Sequence, residues 1–268
     1  MRQPANACVV IEADGPIVSV RLNRPDKLNA VNLDLIDDLI EAAAIVRADE
    51  NARVILLEGT GRSFCAGLDF ASVAKEPKRM AGYLFKLLRP DNRFQRCCLV
   101  WRNLPLPVIA VIQGHCLGAG AQIAMAADFR FANPDLKLAI MEAKWGLVPD
   151  MSGTVTFPEC MPIDQAKRLS MTAEPVDAGT ALTCGLVTEV SETPRDAANA
   201  LAAQLIERSP DALALTKRLF HRTWFAGSRW SLLWETLYQA RLMRGKNHKV
   251  ARSRATGNDK AYLPRTIR

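Results

Sequence analysis

Apolar and polar residues follow two kinds of pattern along the chain. The first consists of short β-rich or continuously apolar runs, and it predicts strands. Two β-rich runs, Val9 to Glu12 and Ile17 to Leu22, flank Asp14-Gly15, a dipeptide typical of hairpin turns. Val54 to Leu57 and Val108 to Ile112 are apolar without alternation. Runs of this kind are typical of strands that are buried on both faces of a parallel sheet. The pattern therefore predicts a hairpin followed by buried strands.

The second pattern, in which apolar residues recur every three to four positions, predicts helices between the strands. Asn32 is a residue type that caps helices, and after it apolar residues recur at helical spacing from Ile36 to Val46. Three further short strands are expected at residues 128–132, 137–140 and 186–190. Strand and helix thus alternate several times, which is typical of an α/β fold.

The last third of the chain has a different character. From about residue 196 it is rich in Ala and Leu, and Ser209-Pro210 is typical of a helix start. We therefore expect an α/β core over residues 1–195 and a helical region over residues 196–268. Trp230 and Trp234 concentrate aromatic surface in this helical region, which favours core packing or a subunit contact.

Composition places the chain among globular proteins and narrows its location. Of the 268 residues, 49% are hydrophobic and 24% charged, and no apolar run approaches the roughly 20 residues that cross a bilayer. Glu12 and Asp14 interrupt the N-terminal stretch where a signal peptide would be apolar. The seven cysteines form no C-x-x-C pair, and the three histidines are not at ligand spacing. We expect a cytoplasmic protein without membrane contact, disulfide framework or metal site.

The formal net charge of +7 belongs to the C-terminal end. Residues 241–268 hold nine of the 35 Lys and Arg residues and a single acid, Asp259, so the rest of the chain has a net charge of −1. This distribution argues against a uniformly basic nucleic-acid-binding protein. A solvated helical face and an anion-binding rim at a subunit edge are both compatible with it.

Several common catalytic motifs are missing. Gly118-Ala-Gly120 lacks the third glycine, at position 123, of a dinucleotide-binding turn. The chain also contains neither a G-x-x-x-x-G-K-[ST] phosphate loop nor a G-x-S-x-G nucleophile turn. Nicotinamide, P-loop and serine-hydrolase chemistry therefore have no sequence support.

Two glycine-containing turns remain, each directly after a buried strand. They are Ser63 to Phe70 and Gly114 to Ala121, and the second opens a stretch of good helix formers. Backbone N–H groups at such turns can hold a developing oxyanion. The alternative is that the glycines only permit close packing between strand and helix.

Both turns, together with Arg21 to Ala30 before them and Met141 to Asp150 after them, resemble the enoyl-CoA hydratase/isomerase family, also called the crotonase superfamily. The resemblance runs from about Val9 to Val190. It implies an α/β fold, a crotonase-like spiral of ββα units with a helical C-terminal region that serves oligomerisation and covers the active site. It further implies a homotrimer or hexamer acting on an acyl-CoA thioester, with no cofactor apart from the coenzyme A of the substrate.

The resemblance also assigns an oxyanion hole and one carboxylate. The backbone N–H groups of Ala66 and Ala119 are expected to bind the thioester oxygen. Family hydratases carry two glutamates, and this chain has Gln122 at the first position and Glu142 at the second. An amide cannot act as a general base, so Gln122 is expected to orient water or substrate while Glu142 transfers the proton. Apolar neighbours are expected to raise the pKa of Glu142.

Asp150 is the third candidate residue for chemistry. Dienoyl-CoA isomerases of the family place an acid at this position, although a turn aspartate with a capping function is an equal alternative. Glu142 with Asp150 would form a pair suited to moving a proton between carbons. The dienoyl isomerases, however, have an aspartate where this chain has Gln122.

Coenzyme A and the acyl group are expected to contact other segments. The resemblance points to Arg24, Lys27, Leu28 and Ala30, and to Gly67 and Gly118 in the two turns. Arg24 and Lys27 could meet phosphates, or could simply be solvated. Within residues 71–103 the expected acyl-pocket residues are Met80, Tyr83, Leu84, Phe85, Leu87, Leu88 and Phe94. This segment could form a movable flap or pack on a neighbouring subunit.

Taken together, the sequence predicts double-bond isomerisation of an enoyl-CoA through an enolate. Water addition, with a water held by Gln122 and activated by Glu142, is the alternative within the family. A non-catalytic acyl-CoA-binding protein is the alternative outside enzymes.

Overall fold

The computed structural model describes residues 1–84 and 91–267 of the chain. The strands are β1 (Val9–Asp14), β2 (Ile17–Leu22), β3 (Val54–Gly59), β4 (Val108–Ile112), β5 (His115–Leu117), β6 (Phe129–Ala132), β7 (Lys137–Ala139) and β8 (Glu189–Val190). The helices are α1 (Leu33–Ala48), α2 (Phe70–Val73), α3 (Pro77–Leu84), α4 (Arg93–Arg102), α5 (Ala119–Met125), α6 (Gly153–Cys160), α7 (Ile163–Thr172), α8 (Ala178–Thr183), α9 (Pro194–Ile206), α10 (Pro210–Thr223), α11 (Ser228–Met243) and α12 (Lys246–Ala255). Among these helices, none is both long and apolar enough to cross a membrane.

The main sheet has the strand order β1-β2-β3-β4-β6-β8. The predicted hairpin of β1 and β2 is antiparallel, and every other neighbouring pair in this sheet is parallel. All residues of β3 and β4 are buried, as their continuous apolar runs predict. Asn32 caps α1 by accepting a hydrogen bond from the Leu35 N–H at 2.9 Å. The α/β prediction is therefore confirmed.

Alternate residues of the central strands face two different apolar layers. Ile55 and Leu57 of β3 point into the large core that also holds α1, whereas Val54 and Leu56 pack with α9 on the other face. The expected division at residue 195 therefore falls inside α9, which packs on the sheet. Helices α10 and α11 form a separate small cluster around Tyr238.

The predicted strand over residues 186–190 is too long. Only Glu189 and Val190 pair with β6. Leu186 and Val187 are buried in the large core. Leu186 and Val187 are therefore apolar because they pack in this core, and not because they pair with a strand.

Strand β5 is an element that the sequence pattern placed inside a turn. It pairs in parallel with β7 to form a second, two-stranded sheet. The backbone of Cys116 in β5 also pairs with that of Cys65 in an isolated parallel β-bridge, and both thiols are free. Strand β5 thus lies within the second glycine-containing segment, directly before Gly118, and its bridge to Cys65 sets this segment against the first turn.

A largely buried ion pair fixes α10 to the core. Lys217 Nζ lies 2.7 Å from Asp128 Oδ2, and the two side chains are 8% and 14% exposed. Lys217 also donates to the carbonyls of Trp101 and Leu106 at 3.1 and 2.9 Å. Burial raises the pKa of Asp128 and lowers that of Lys217, while their mutual attraction opposes both shifts.

Replacing Lys217 with methionine is expected to lower the free energy of unfolding by about 3–5 kcal/mol, because Asp128 keeps a buried charge without a partner. Urea unfolding of wild type and Lys217→Met measures the loss. Adding Asp128→Asn should recover part of it, since the uncompensated charge is then removed. A loss below about 1 kcal/mol, the range of exposed ion pairs, would contradict this account.

Candidate active site

A cavity of about 460 Å³ lies where the two glycine-containing turns meet. Six of the residues predicted from the sequence line it together: Ala66, Gly67, Gly118, Ala119, Glu142 and Asp150. Most of the remaining wall is apolar and includes Phe70, Met80, Phe94 and Trp145. The fold thus brings together turns and carboxylates that are far apart in sequence.

Close packing at Gly120 and the backbone conformation of Gly118 set these turns against each other. A Cβ added to Gly120 would lie only 2.6 Å from the Cβ of Cys65, so α5 sits directly on the first turn. Gly118 has a φ of 48° and a ψ of −113°, a conformation that favours glycine. Backbone bonds between Cys65 and the β5 strand complete the contact: Cys65 N–H donates to His115 at 2.9 Å, and Leu117 N–H donates to Cys65 at 2.9 Å.

The expected role of Ala66 in an oxyanion hole needs correction. Its N–H already donates to the carbonyl of Leu28, with an N to O distance of 2.9 Å. Leu28 has a φ of 49°, and this left-handed conformation belongs to the turn that places its carbonyl near Ala66. The Ala66 N–H is therefore used within the fold and is not free for a substrate oxygen.

Leu68, two residues further on, has the free N–H instead. The Val31 N–H donates to the carbonyl of Gly67 at 2.7 Å, and the Asp69 N–H donates to the carbonyl of Val31 at 2.9 Å. These two bonds form a parallel β-bridge between Val31 and Leu68. In such a bridge the central N–H points away from the partner. No described residue accepts a hydrogen bond from it, and Leu68 lines the cavity. Sequence analysis missed Leu68. The signal that could have identified it is the alternation of N–H directions along an extended segment.

Ala119 supplies a second cavity-lining N–H. It is the first residue of α5, where N–H groups have no acceptor within the helix. Gly118 before it donates to Ala139, whereas the Ala119 N–H has no acceptor in the described part of the chain. Leu68 and Ala119, one from each turn, are therefore two backbone donors that a carbonyl oxygen in this cavity could use.

Gln122 holds Glu142 in one orientation. The Gln122 side chain is fully buried, and its Oε1 accepts from the backbone N–H groups of Met151 and Gly153 at 2.9 and 3.0 Å. These two bonds fix the amide, so its Nε2 donates to Glu142 Oε1 at 2.6 Å. The structure therefore gives Gln122 a role in positioning Glu142, with its amide oxygen and one N–H of Nε2 engaged with protein groups, and the expectation that it orients water or substrate stays a prediction.

The second carboxylate oxygen of Glu142, Oε2, is buried and is left without a hydrogen-bond partner among the described residues. A Cβ on Gly118 would lie 3.7 Å from Glu142 Oε1, so the carboxyl group sits beside the turn that carries Ala119. Burial is the main reason that the pKa of Glu142 is raised, and nearby Asp150 raises it further while the bond from Gln122 opposes the shift. The expected rise is confirmed, and such a group suits reversible proton transfer.

Asp150 lies at the edge of the same cavity, with part of its surface open to solvent. Partial burial raises the pKa of this carboxyl group as well. Its charge acts on Glu142. The structure therefore brings the two predicted carboxylates within electrostatic reach of each other.

The pH profile of activity should reflect this coupling. A general base works only when ionised, so turnover is expected to fall as pH drops through the pKa of Glu142, above the 4.5 of an ordinary glutamate. Asp150→Asn removes a like charge and should move this acid limb to lower pH by up to about one unit. The measurement is kcat/KM against pH for both proteins. An acid limb that stays in place would separate Asp150 from the titration of Glu142.

Arg24 is not available for a phosphate in this structure. Its guanidinium group pairs with Asp69 at 3.0 Å and also donates to the carbonyl of Ala30. Asp69 in turn caps α2, accepting from the Ser72 N–H at 3.1 Å. Arg24 and Ala30 therefore hold the loop before α1 against the first turn, which corrects the expected role of Arg24.

Lys27 remains a candidate for coenzyme A binding. Its side chain is exposed and has no hydrogen-bond partner among the described residues. The neighbouring Leu28 is bonded to the first turn through its carbonyl, and Asn29 donates to the carbonyls of Thr60 and Ser63 at 2.9 and 2.8 Å. The loop that carries Lys27 is thus fixed next to the cavity turn.

The expected acyl-pocket segment is placed in part. Met80 and Phe94 line the cavity, whereas Tyr83 donates a hydrogen bond to Asp37 on α1. Leu84 ends α3, and Phe85, Leu87 and Leu88 lie outside the described residues.

The C-terminal region does not reach this cavity within one chain. None of the described residues after 195 lines it. Trp224, directly after α10, and Trp230, on α11, are instead 62% and 53% exposed, far more than a core position allows. In the same described ranges, no three His, Cys, Asp or Glu side chains are grouped as a metal ion would require.

Known sequences resemble the chain over most of its length. The Enoyl-CoA hydratase/isomerase family profile matches residues 12–231. Short-chain-enoyl-CoA hydratase of Clostridium acetobutylicum is 32% identical over 220 residues, 80% of this chain and 81% of the relative. The mitochondrial Delta(3,5)-Delta(2,4)-dienoyl-CoA isomerase of Homo sapiens is 32% identical over 220 residues, 78% of this chain and 66% of the relative. A hydratase and an isomerase thus resemble it to the same degree.

Solved structures resemble it as well. Enoyl-CoA hydratase from Bacillus anthracis matches with a TM-score of 0.85 and 25% identity, over 96% of this chain and 99% of that one. Enoyl-CoA hydratase from Thermoplasma volcanium GSS1 matches with a TM-score of 0.82 and 28% identity, over 92% and 96%. The predicted crotonase-like fold is confirmed.

Proposed function

The chain belongs to the enoyl-CoA hydratase/isomerase family, and we propose that within this family it isomerises a double bond of an enoyl-CoA thioester. The observation that carries the proposal is the Gln122 amide. It fills the space beside Glu142 with a group that cannot exchange protons, and its oxygen is held by two backbone N–H groups. One carboxylate beside the oxyanion donors suffices for proton transfer between two carbons.

In the proposed reaction the thioester oxygen accepts hydrogen bonds from the N–H groups of Leu68 and Ala119. The free Oε2 of Glu142 takes a proton from a carbon adjacent to the unsaturated system. The bonding electrons of that C–H bond move onto the thioester oxygen and form a dienolate, which the two N–H groups stabilise. Glu142 then returns this proton at the other end of the dienolate, and Asp150 assists through its negative charge, which raises the pKa of Glu142. The product has the mass of the substrate.

Water addition is the second candidate, because the curated relatives include hydratases. In that reaction the unpartnered Glu142 Oε2 would bind the attacking water. The side chain at position 122 would then have to help with the water or its proton. Gln122 has its oxygen and the bonded Nε2 engaged with Met151, Gly153 and Glu142, which favours isomerisation.

Mass spectrometry of a panel of enoyl- and dienoyl-CoA thioesters tests the proposal. Wild type is expected to yield a product of unchanged mass that separates from the substrate in liquid chromatography, and Gln122→Glu is expected to gain a product heavier by one water. A water adduct as the main wild-type product would overturn the isomerase assignment. Acyl-CoA binding without turnover, unchanged by Glu142→Gln, would instead identify a non-catalytic acyl-CoA-binding protein.

Lys27 and the exposed aromatic residues suggest two further roles. We propose that Lys27 meets a coenzyme A phosphate, since its exposed ammonium group stands on a loop bonded to the cavity turn. We also propose a homotrimer or hexamer in which Trp224, Phe225 and Trp230 are covered by other subunits. These three side chains are 62%, 69% and 53% exposed in the single chain, an arrangement typical of subunit contacts.

A further inference from the structure

Among the described residues that line the cavity, the ionisable side chains are all acidic. Glu142 and Asp150 are the two acidic residues in its wall, and none of its described lining residues is Lys, Arg or His. The remaining wall consists of backbone and apolar side chains, Met80, Phe94 and Leu147 among them. An acyl group in this cavity therefore meets carboxylates but no cationic side chain of the described chain.

The charge of Asp150 is not compensated nearby. The interactions that set its pKa are burial and a bond from its own backbone, and they include no cationic group of residues 1–84 or 91–267. Asp69, by contrast, is paired with Arg24 at 3.0 Å. Asp150 differs in that its ionised form would face the cavity edge as a free negative charge.

A second carboxylate on the substrate would be disfavoured here for two reasons. It would leave water for an apolar wall that offers no side-chain donor such as Lys or Arg, which costs free energy. A terminal carboxylate that came within about 5 Å of Asp150 would also meet a like charge, and at an effective dielectric constant near 20 this repulsion changes a binding constant by roughly 10².

We propose that Asp150 acts as a charge filter, so that this enzyme accepts acyl groups with an uncharged tail and rejects acyl groups that carry a terminal carboxylate. This inference rests on the proposed function, because it concerns the acyl group of the same thioester substrate. It assigns Asp150 a part in specificity in addition to its assistance in proton transfer.

The test compares three thioesters of equal chain length: an enoyl-CoA with a terminal methyl group, its terminal carboxylate and its terminal amide. At mildly alkaline pH, which favours the ionised form of the cavity carboxyls, wild type is expected to prefer the amide over the carboxylate by about 10² in kcat/KM. Asp150→Asn should reduce this preference to within about tenfold while lowering turnover of all three substrates. Asp135→Asn serves as the matched control, since Asp135 is exposed and lies outside the cavity wall.

The ratio of kcat/KM separates the filter from the chemistry, because a general loss of catalysis affects both substrates alike. Equal use of amide and carboxylate by wild type would overturn the filter while leaving the isomerase intact. A preference that survives Asp150→Asn unchanged would also overturn it. The absence of turnover on all three thioesters, by wild type, would instead contradict the proposed function on which the filter rests.

Discussion

Glu142→Gln is expected to lower kcat by about 10²–10⁴, the range that general acid–base catalysis contributes. The substitution keeps the shape of the side chain and an acceptor for Gln122 Nε2, which now donates to Glu142 at 2.6 Å. Only the ability to take up a proton is lost. Steady-state kinetics on the accepted thioester gives the effect on kcat, and acyl-CoA binding should persist.

The matched control is Glu192→Gln. Glu192 is exposed and lies outside the cavity, so its neutralisation should leave kcat unchanged. Thermal unfolding distinguishes lost chemistry from lost structure: Glu142→Gln should be at least as stable as wild type, because the buried carboxylate with a raised pKa is removed. A Glu142→Gln protein that keeps most of its activity would contradict the proposed role of this residue.

Removing single backbone N–H groups is expected to have an effect of nearly the same size. An amide-to-ester replacement deletes the donor and keeps the side chain. At Leu68 or at Ala119 it should lower kcat by about 10²–10³, because one donor to the developing oxyanion is lost. The rates of the semisynthetic proteins measure this loss.

The same replacement at Ala66 tests whether Ala66 or Leu68 supplies the oxyanion donor of the first turn. Its N–H bonds to Leu28 at 2.9 Å, so the ester at position 66 should cost about 1 kcal/mol of stability and leave kcat nearly unchanged. A large loss of kcat at Ala66 with none at Leu68 would restore the assignment that the sequence alone suggests.

Elements with a strong local pattern are predictable from the sequence. The hairpin around Asp14-Gly15, the capped helix after Asn32 and the buried strands β3 and β4 all lie where their patterns indicate. Each depends on neighbouring residues or on a continuous apolar run. Strand β8 is shorter than predicted because apolar residues next to a strand can be buried without pairing, as Leu186 and Val187 are.

Contacts between distant segments are not predictable in the same way. Motif resemblance brings Glu142, Asp150 and both turns to one cavity, but it does not reveal which N–H of the first turn is free. That depends on the bond from Ala66 to Leu28, 38 residues earlier, and on the bridge between Leu68 and Val31. The pairing of Arg24 with Asp69 is likewise a long-range contact, and it removes a candidate phosphate ligand.

Gln122 shows the same limit at the level of a single side chain. Its identity excludes a general base, and this follows from the sequence. Its two acceptor bonds from the backbone of residues 151 and 153, however, exist only because the loop after Asp150 folds back onto α5. Those bonds fix the amide so that its Nε2 donates to Glu142 and holds the carboxyl group in place.

The infrared or Raman frequency of the thioester carbonyl, ¹³C-labelled and bound to Glu142→Gln protein so that it does not react, tests the shared role of the two N–H groups most directly. We expect the carbonyl stretch to move to lower frequency on binding. The shift should persist with an ester at Ala66 and shrink with an ester at Leu68 or Ala119. A bound carbonyl that vibrates as it does in water, or a shift that disappears only with the Ala66 ester, would contradict the account.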